Sequence, residues 1–221
     1  MNLRVLTWNL MHGRSVPGSG RDLRPEFTAA LADWAWDVAV LQEVPPWWPR
    51  ALAAALGAEY RMVRTSRNAG LVLRRAIAIR WPDAIKSGGG GANAILARSD
   101  RIIVHRRTRL CWRPERRWGH AVQLACGVWV ANLHASTAVG AARRDGRRAC
   151  AAGLAWAGEA PLVLAGDFNL RDPAFPEFEV VASHDVDHVL VAGEVQAGPA
   201  EVLHRGSLSD HAPLAITVST G

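Results

Sequence analysis

An acid and an amide stand two residues apart in Gly166-Asp167-Phe168-Asn169, directly after the apolar run 161–165. The run reads as a buried strand, and the two-residue repeat of a strand points Asp167 and Asn169 the same way. A carboxylate can take a proton from water, and an amide both donates and accepts. The pair therefore suits attack of water on an electron-poor centre such as phosphorus. An Asp-Phe-Asn turn capping a strand would use the same residue types, so other polar residues must decide. Asn9 follows Thr7-Trp8, Glu43 follows Gln42, Asn132 and His134 are again two apart, and Asp210-His211 form an adjacent acid and imidazole.

The elements that must position these residues can be read from periodicity. Leu3 and Val5 open a strand that ends at Asn9, and a loop follows with Arg14, Arg21 and Arg24. Pro25 opens a helix with Phe27, Ala30, Leu31 and Trp34 at helical spacing, and 37–43 returns as a strand ending in Glu43. Strand, helix, strand places Asn9 and Glu43 on one edge if the two strands are parallel neighbours. A glutamate at the mouth of a buried strand is costly without a partner, and a divalent cation is a natural one.

Next comes a short helix with Trp48, Leu52 and Leu56 on one side and Gly57 as its stop. Trp47 and Trp48 cannot both face a core from one helical turn, which leaves one to pack in a loop, stack on a base or lean on lipid. Residues 59–80 read as a pair of strands around Asn68-Ala69-Gly70, and 86–91 as a glycine-rich turn. The stretches 93–98 and 102–110 alternate like antiparallel strands, and 113–120 is a basic loop with Arg116, Arg117 and Trp118. A hairpin over Gly127 joins 120–126 to 128–134 and sets Asn132 and His134 on one face. Residues 141–157 form a helix with Arg143, Arg144, Arg147 and Arg148 on a solvated face, 185–191 a strand, and 214–218 the closing strand after Asp210-His211. Acids, amides and histidines thus collect at five strand ends, where several loops can build one site.

Composition narrows the classes. A 221-residue chain, 49% hydrophobic with a mean hydropathy near zero, suits one soluble domain over residues 1–221. The net charge of +6 is almost entirely arginine, since Lys86 is the only lysine, and favours phosphate-bearing partners. Cys111, Cys126 and Cys150 are odd in number and lack metal-like spacing, which argues against a disulfide framework or a zinc knuckle. Without a signal-peptide pattern or an apolar run of membrane-spanning length, we expect a cytoplasmic monomer.

Taken in order, Thr7-Trp8-Asn9, Gln42-Glu43, Asn132-Leu133-His134, Gly166-Asp167-Phe168-Asn169 and Ser209-Asp210-His211 resemble the motifs of the endonuclease/exonuclease/phosphatase superfamily. Residues 91–98, ending in Ala97-Arg98, and Val186-Asp187-His188-Val189 are weaker echoes of its other motifs. The resemblance implies an α+β fold, a four-layer α/β/β/α sandwich of two packed mixed β-sheets flanked by helices. It also implies divalent-metal-dependent hydrolysis of a phosphoester. Glu43 would be the principal metal ligand, with Asn9 nearby and Asp210 completing the environment, and such hard donors fit Mg²⁺ or Mn²⁺ better than zinc. Asp167 would orient or deprotonate the attacking water, and Asn169 would hold it or the phosphate oxygens. His211, its tautomer fixed by Asp187, would act as base or stabilise developing charge, and which of Asp167 and His211 takes the proton stays open. His134 would meet the phosphate or the leaving oxygen, while Asn132 and Arg116 would contact substrate.

Members of the superfamily cut DNA or RNA, dephosphorylate inositol lipids or split sphingomyelin. The arginines of 14–24 and 113–117 favour a nuclease here, with a small-molecule or lipid-headgroup phosphoesterase as the alternative. The intact set of polar residues argues against a non-catalytic binding protein of the same fold.

Overall fold

The computed structural model describes residues 1–65, 68–113 and 115–221. Two-residue periodicity decides its layers. In β1 (Asn2–Asn9), Leu3 and Val5 point to one side, Leu6 and Trp8 to the other. In β2 (Val38–Val44), Val38 and Val40 oppose Ala39 and Leu41 in the same way. Strands apolar on both faces must be covered on both, and each sheet is. β1 and β2 lie parallel in a mixed six-stranded sheet that also contains β3 (Glu59–Arg64), β4 (Ala92–Ala97), β11 (Val195–Val202) and β12 (Leu214–Thr220), in the order β11-β12-β1-β2-β4-β3.

The second sheet runs β5 (Ile102–Cys111), β6 (Arg117–Leu124), β7 (Trp129–His134), β8 (Leu162–Asp167), β10 (Asp187–Ala192) and β9 (Glu179–His184), with β7 and β8 parallel and the rest antiparallel. Its Val122, Val130, Val163 and Val189 meet Val5, Val40, Ile95 and Ile216 of the first sheet in an inter-sheet layer. Outside, α1 (Arg24–Asp33) and α2 (Trp48–Leu56) bury Phe27, Leu31 and Leu52 against Trp8 and Leu41. On the far side, α5 (Val139–Ala157) buries Ala142, Ala149 and Cys150 against Leu133, Leu164 and Leu190. The result is the expected four-layer sandwich.

Two local expectations are corrected. The second half of 59–80 is no strand: Gly70 turns the chain at φ 64° into α3 (Leu71–Arg80), followed by α4 (Pro82–Ile85). The β-branched Val72, Ile77 and Ile79 imitate a strand, but only Ile77 and Ile79 are two apart, and Arg74-Arg75 breaks the alternation from Val72. Trp48 is buried against Phe27, ring centroids 5.4 Å apart, and Trp47 packs on the same core, so neither is offered to a base or a lipid. The unforeseen β9 and β11 are sheet edges; with most residues exposed, and Gly198-Pro199 inside β11, they lack a buried strand's apolar signal.

Candidate active site

The inter-sheet layer changes character toward one end. Along β1 the inward face runs Val5, Thr7, Asn9; along β2, Val40 and Gln42; along β7, Val130, Asn132, His134; along β8, Val163, Ala165, Asp167. Antiparallel β10 contributes its first residue, Asp187, directly beside Asp167, and His134 sits beside Asp167 on the other side. The valines close the core, and the polar residues that replace them must bond to one another or to a ligand. Gly166 makes this end of the second sheet close. Its φ is +146°, and a Cβ there would lie 1.9 Å from the Leu133 carbonyl oxygen.

Asp167 is the hub. Its carboxylate accepts from the Asn9 side-chain amide across the sheets (3.0 Å) and from the Asn169 backbone N–H (2.9 Å). His134 Nε2 lies 3.6 Å from its Oδ2 and His211 Nε2 4.0 Å. Burial first, then the neighbouring charge of Asp187, push Asp167 up to about 7. His211 Nδ1 meets Asp187 Oδ2 at 2.6 Å, a second bond between the sheets. Burial alone would lower His211, but this bond and the charges of Asp187, Asp167 and Asp210 outweigh it and raise the imidazole to about 9. Burial also raises Asp187, against the pull of His211, and its Oδ1 is buried without a partner. His134 is the converse: burial, reinforced by Arg117, holds it well below the usual histidine range and thus neutral.

Glu43 stands on the open side of this cluster. His12 Nε2 is 3.2 Å from one of its oxygens and His134 Nε2 3.7 Å from the other. Glu43, Asn169, Ser209, Met11 and His12 all have positive φ, a costly concentration of left-handed backbone around one site. A cavity of about 190 Å³ lies against Glu43, His12 and His134, with Thr65, Arg116 and Arg117 in its walls. A groove of about 640 Å³ shares Thr65 and Arg116 with this cavity and is lined also by Arg64, Arg107 and Trp118.

The sequence candidates Asn9, Glu43, His134, Asp167, Asn169, Asp187 and His211 are therefore gathered at one end of the sandwich, with Arg116 in the cavity wall. Asp210 lies at the rim, its carboxylate half exposed and 3.9 Å from His211 Nε2. Asn132 is not on the open side. It is buried, donating to Leu41 and Ala94 carbonyls and accepting from Gln42, and so ties β7 to the first sheet. Sequence reasoning missed His12; a histidine beside glycine just beyond the Asn9 strand end was the available signal. Of the arginines in 14–24, Arg14 lies 4.0 Å from Asp83 and Arg21 pairs with Glu26, so their charge is partly spent within the protein.

The model of the endonuclease/exonuclease/phosphatase family matches residues 6–211. The chain belongs to this family. Among solved structures it is similar to a family protein from Bacteroides vulgatus (TM-score 0.74, 16% identity, 100% of both chains covered). It is also similar to a humanised Danio rerio TDP2 (TM-score 0.73, 16% identity, 99% of both chains). A third is the mannosyl-6-phosphatase of Bacteroides thetaiotaomicron (TM-score 0.71, 15% identity, 98% of this chain and 99% of that one). No curated protein sequence matches. At these identities the structures establish the family fold, and the residues of this chain must carry the rest. The family's dependence on divalent metal agrees with the acidic and imidazole cluster, in which ligand atoms of Asp167, Asp187 and His211 lie within 4.8 Å of one another. Among the described residues no helix is long and apolar enough to cross a membrane.

Proposed function

We propose that the protein hydrolyses phosphodiester bonds of nucleic acid, with Mg²⁺ or Mn²⁺, by in-line attack of water. The donor set fits such a cation: carboxylates, an amide and imidazoles, with two buried acids, Asp167 and Asp187, raised by burial despite the neighbouring His211. Glu43, with Asn9 and Asp210, would hold it, and His12 is placed to join them. When bound, the ion supplies charge neutralisation at the phosphoryl and leaving oxygens.

The proton affinities divide the remaining work. His211, kept protonated by Asp187, is unsuited to take a proton at neutral pH and donates to a phosphate oxygen as charge builds. Asp167, raised to about 7, can accept the proton of the attacking water. Asn169, anchored by its side-chain bond to the Ala135 carbonyl (3.0 Å), positions that water. Neutral His134, between Asp167 and Glu43, faces the phosphate.

The observation that carries nucleic acid over other phosphoesters is the groove. Arg64, Arg107 and Arg116 with Trp118 line a groove that shares Thr65 and Arg116 with the cavity, cations for a backbone and a ring on which a base can stack. A second reading, a small phosphomonoester, draws on the modest cavity beside Glu43 and on the similarity to a mannosyl-6-phosphatase. A panel of single-stranded DNA, RNA, duplex, inositol phosphates and hexose phosphates, each with and without chelator, separates them. The nuclease reading expects metal-dependent cleavage of single strands, with Arg107→Ala and Trp118→Ala raising KM on DNA while turnover of bis(p-nitrophenyl) phosphate holds. Turnover confined to small monoesters would sink it.

A further inference from the structure

Helix α3 carries apolar side chains on its solvent face, where an ordinary surface helix carries polar ones. Val72, Ala76 and Ile79 fall at i, i+4 and i+7, one line along the helix, and that line faces solvent. Val72 is 88% exposed, Leu73 beside it 67% and Ile79 41%. Exposed Arg75 flanks the line on one side and Arg80 on the other, and no residue of α3 is buried. Trp81 follows, 56% exposed, with the Arg80 guanidinium 5.5 Å from its ring centre. A polar side chain helps fasten the helix to the body: Arg74, which also reaches back to the Ala69 carbonyl at the helix's own start (2.7 Å), donates to the carbonyl of Gly88. Gly88 belongs to the turn Lys86–Gly89, whose Ser87 lines the cavity beside Glu43.

We infer that α3 is an interfacial helix that seats the protein on an anionic phospholipid surface. An aliphatic line between arginines, closed by a tryptophan, matches the layers such a surface presents: acyl chains below, phosphate groups at the level of the guanidinium groups, and a boundary that tryptophan prefers. The alternatives fit less well. A nucleic-acid backbone would satisfy Arg75 and Arg80 but gives Val72, Leu73 and Ile79 nothing to bury against. A second copy docked through the same face would set arginines against arginines, with no acid in α3 to pair them. Because the helix is tied to the turn beside the cavity, docking would hold the site close to the membrane. The inference concerns where the protein works and is independent of which phosphoester it cuts.

Flotation of the full chain with vesicles tests it. Binding is expected to an equal mixture of phosphatidylcholine and phosphatidylglycerol, to weaken with added salt, and to be absent with phosphatidylcholine alone. Val72→Glu with Ile79→Glu should reduce binding at least about tenfold, and Arg75→Glu with Arg80→Glu by a similar factor. Val72→Ser with Ile79→Ser, which adds no charge, should also weaken it. All three pairs should keep the wild-type circular dichroism and turnover of bis(p-nitrophenyl) phosphate, since these side chains face solvent. The inference is overturned if wild type ignores anionic vesicles, or if both Val72/Ile79 pairs bind like wild type. It is equally overturned if those pairs leave vesicle binding intact while dissolving a dimer in sedimentation or abolishing single-stranded DNA binding.

Discussion

At the scale of single residues, the site works by setting proton affinities apart. Asp167 and His211 lie 4.0 Å from each other, yet burial raises the first to about 7 while Asp187 raises the second to about 9. Asp167→Asn keeps the shape and removes the proton acceptor, so kcat should fall by about 10²–10⁴-fold with little change in KM. Asp187→Asn should act through His211, lowering both kcat and the pH at which the ring titrates by NMR in metal-free protein. His12→Gln is expected to weaken Mn²⁺ binding by about tenfold in calorimetry, and unchanged affinity would remove His12 from the metal site. The acids and amides were legible in the sequence because they interrupt apolar runs where strands stop. His12 was not, because its place opposite Glu43 depends on left-handed backbone at Met11 and His12 that no periodicity announces.

At the scale of elements, close approach and edges matter most. Gly166→Ala would drive a methyl into the Leu133 carbonyl and part β7 from β8. Chemical denaturation should show a loss of about 1–3 kcal/mol, and catalysis should drop with it, since His134 and Asp167 are paired across that contact. The β5–β6 pair carries a different liability. His120 is fully buried, its Nδ1 3.2 Å from His105 Nε2, and burial, with His105, holds it well below the usual 6.5. Unfolding therefore takes up a proton below that pH, so the stability this histidine permits is complete above about 6.5 and is lost as pH falls. Asp167 and Asp187, raised in the folded state, slope the other way. Comparing wild type with His120→Gln isolates the histidine: the wild-type urea midpoint should drop more steeply between pH 7.5 and about 5.5. Central strands announced themselves in the sequence because they are apolar on both faces. Edge strands β9 and β11 did not, and α3 read as a strand because its solvent-facing aliphatics are the residues a strand would bury.

At the scale of the whole molecule, two sheets share an apolar layer that becomes a reactive one at its end. The same face that packs Val5 on Val163 delivers Asn9 to Asp167 two turns of the pleat later. Fold and site are thus one pattern, which is why five short clusters sufficed to anticipate the sandwich, while the groove to Arg107 and Trp118, assembled from separate strands, could not be seen in the sequence. Truncating the layer should cost both stability and activity: Ile95→Ala, fully buried between the sheets, is expected to lose about 2–5 kcal/mol. The central claim is metal-assisted cleavage of nucleic acid at the Glu43–Asp167 cluster. It is tested most directly by incubating chelator-treated protein with labelled single-stranded DNA, with and without restored Mn²⁺, beside Glu43→Ala and Asp167→Asn. Cleavage by wild type only with the ion, and none above background by either variant, is the predicted result. DNA left intact by wild type with Mn²⁺, or cut equally by both variants, would contradict it.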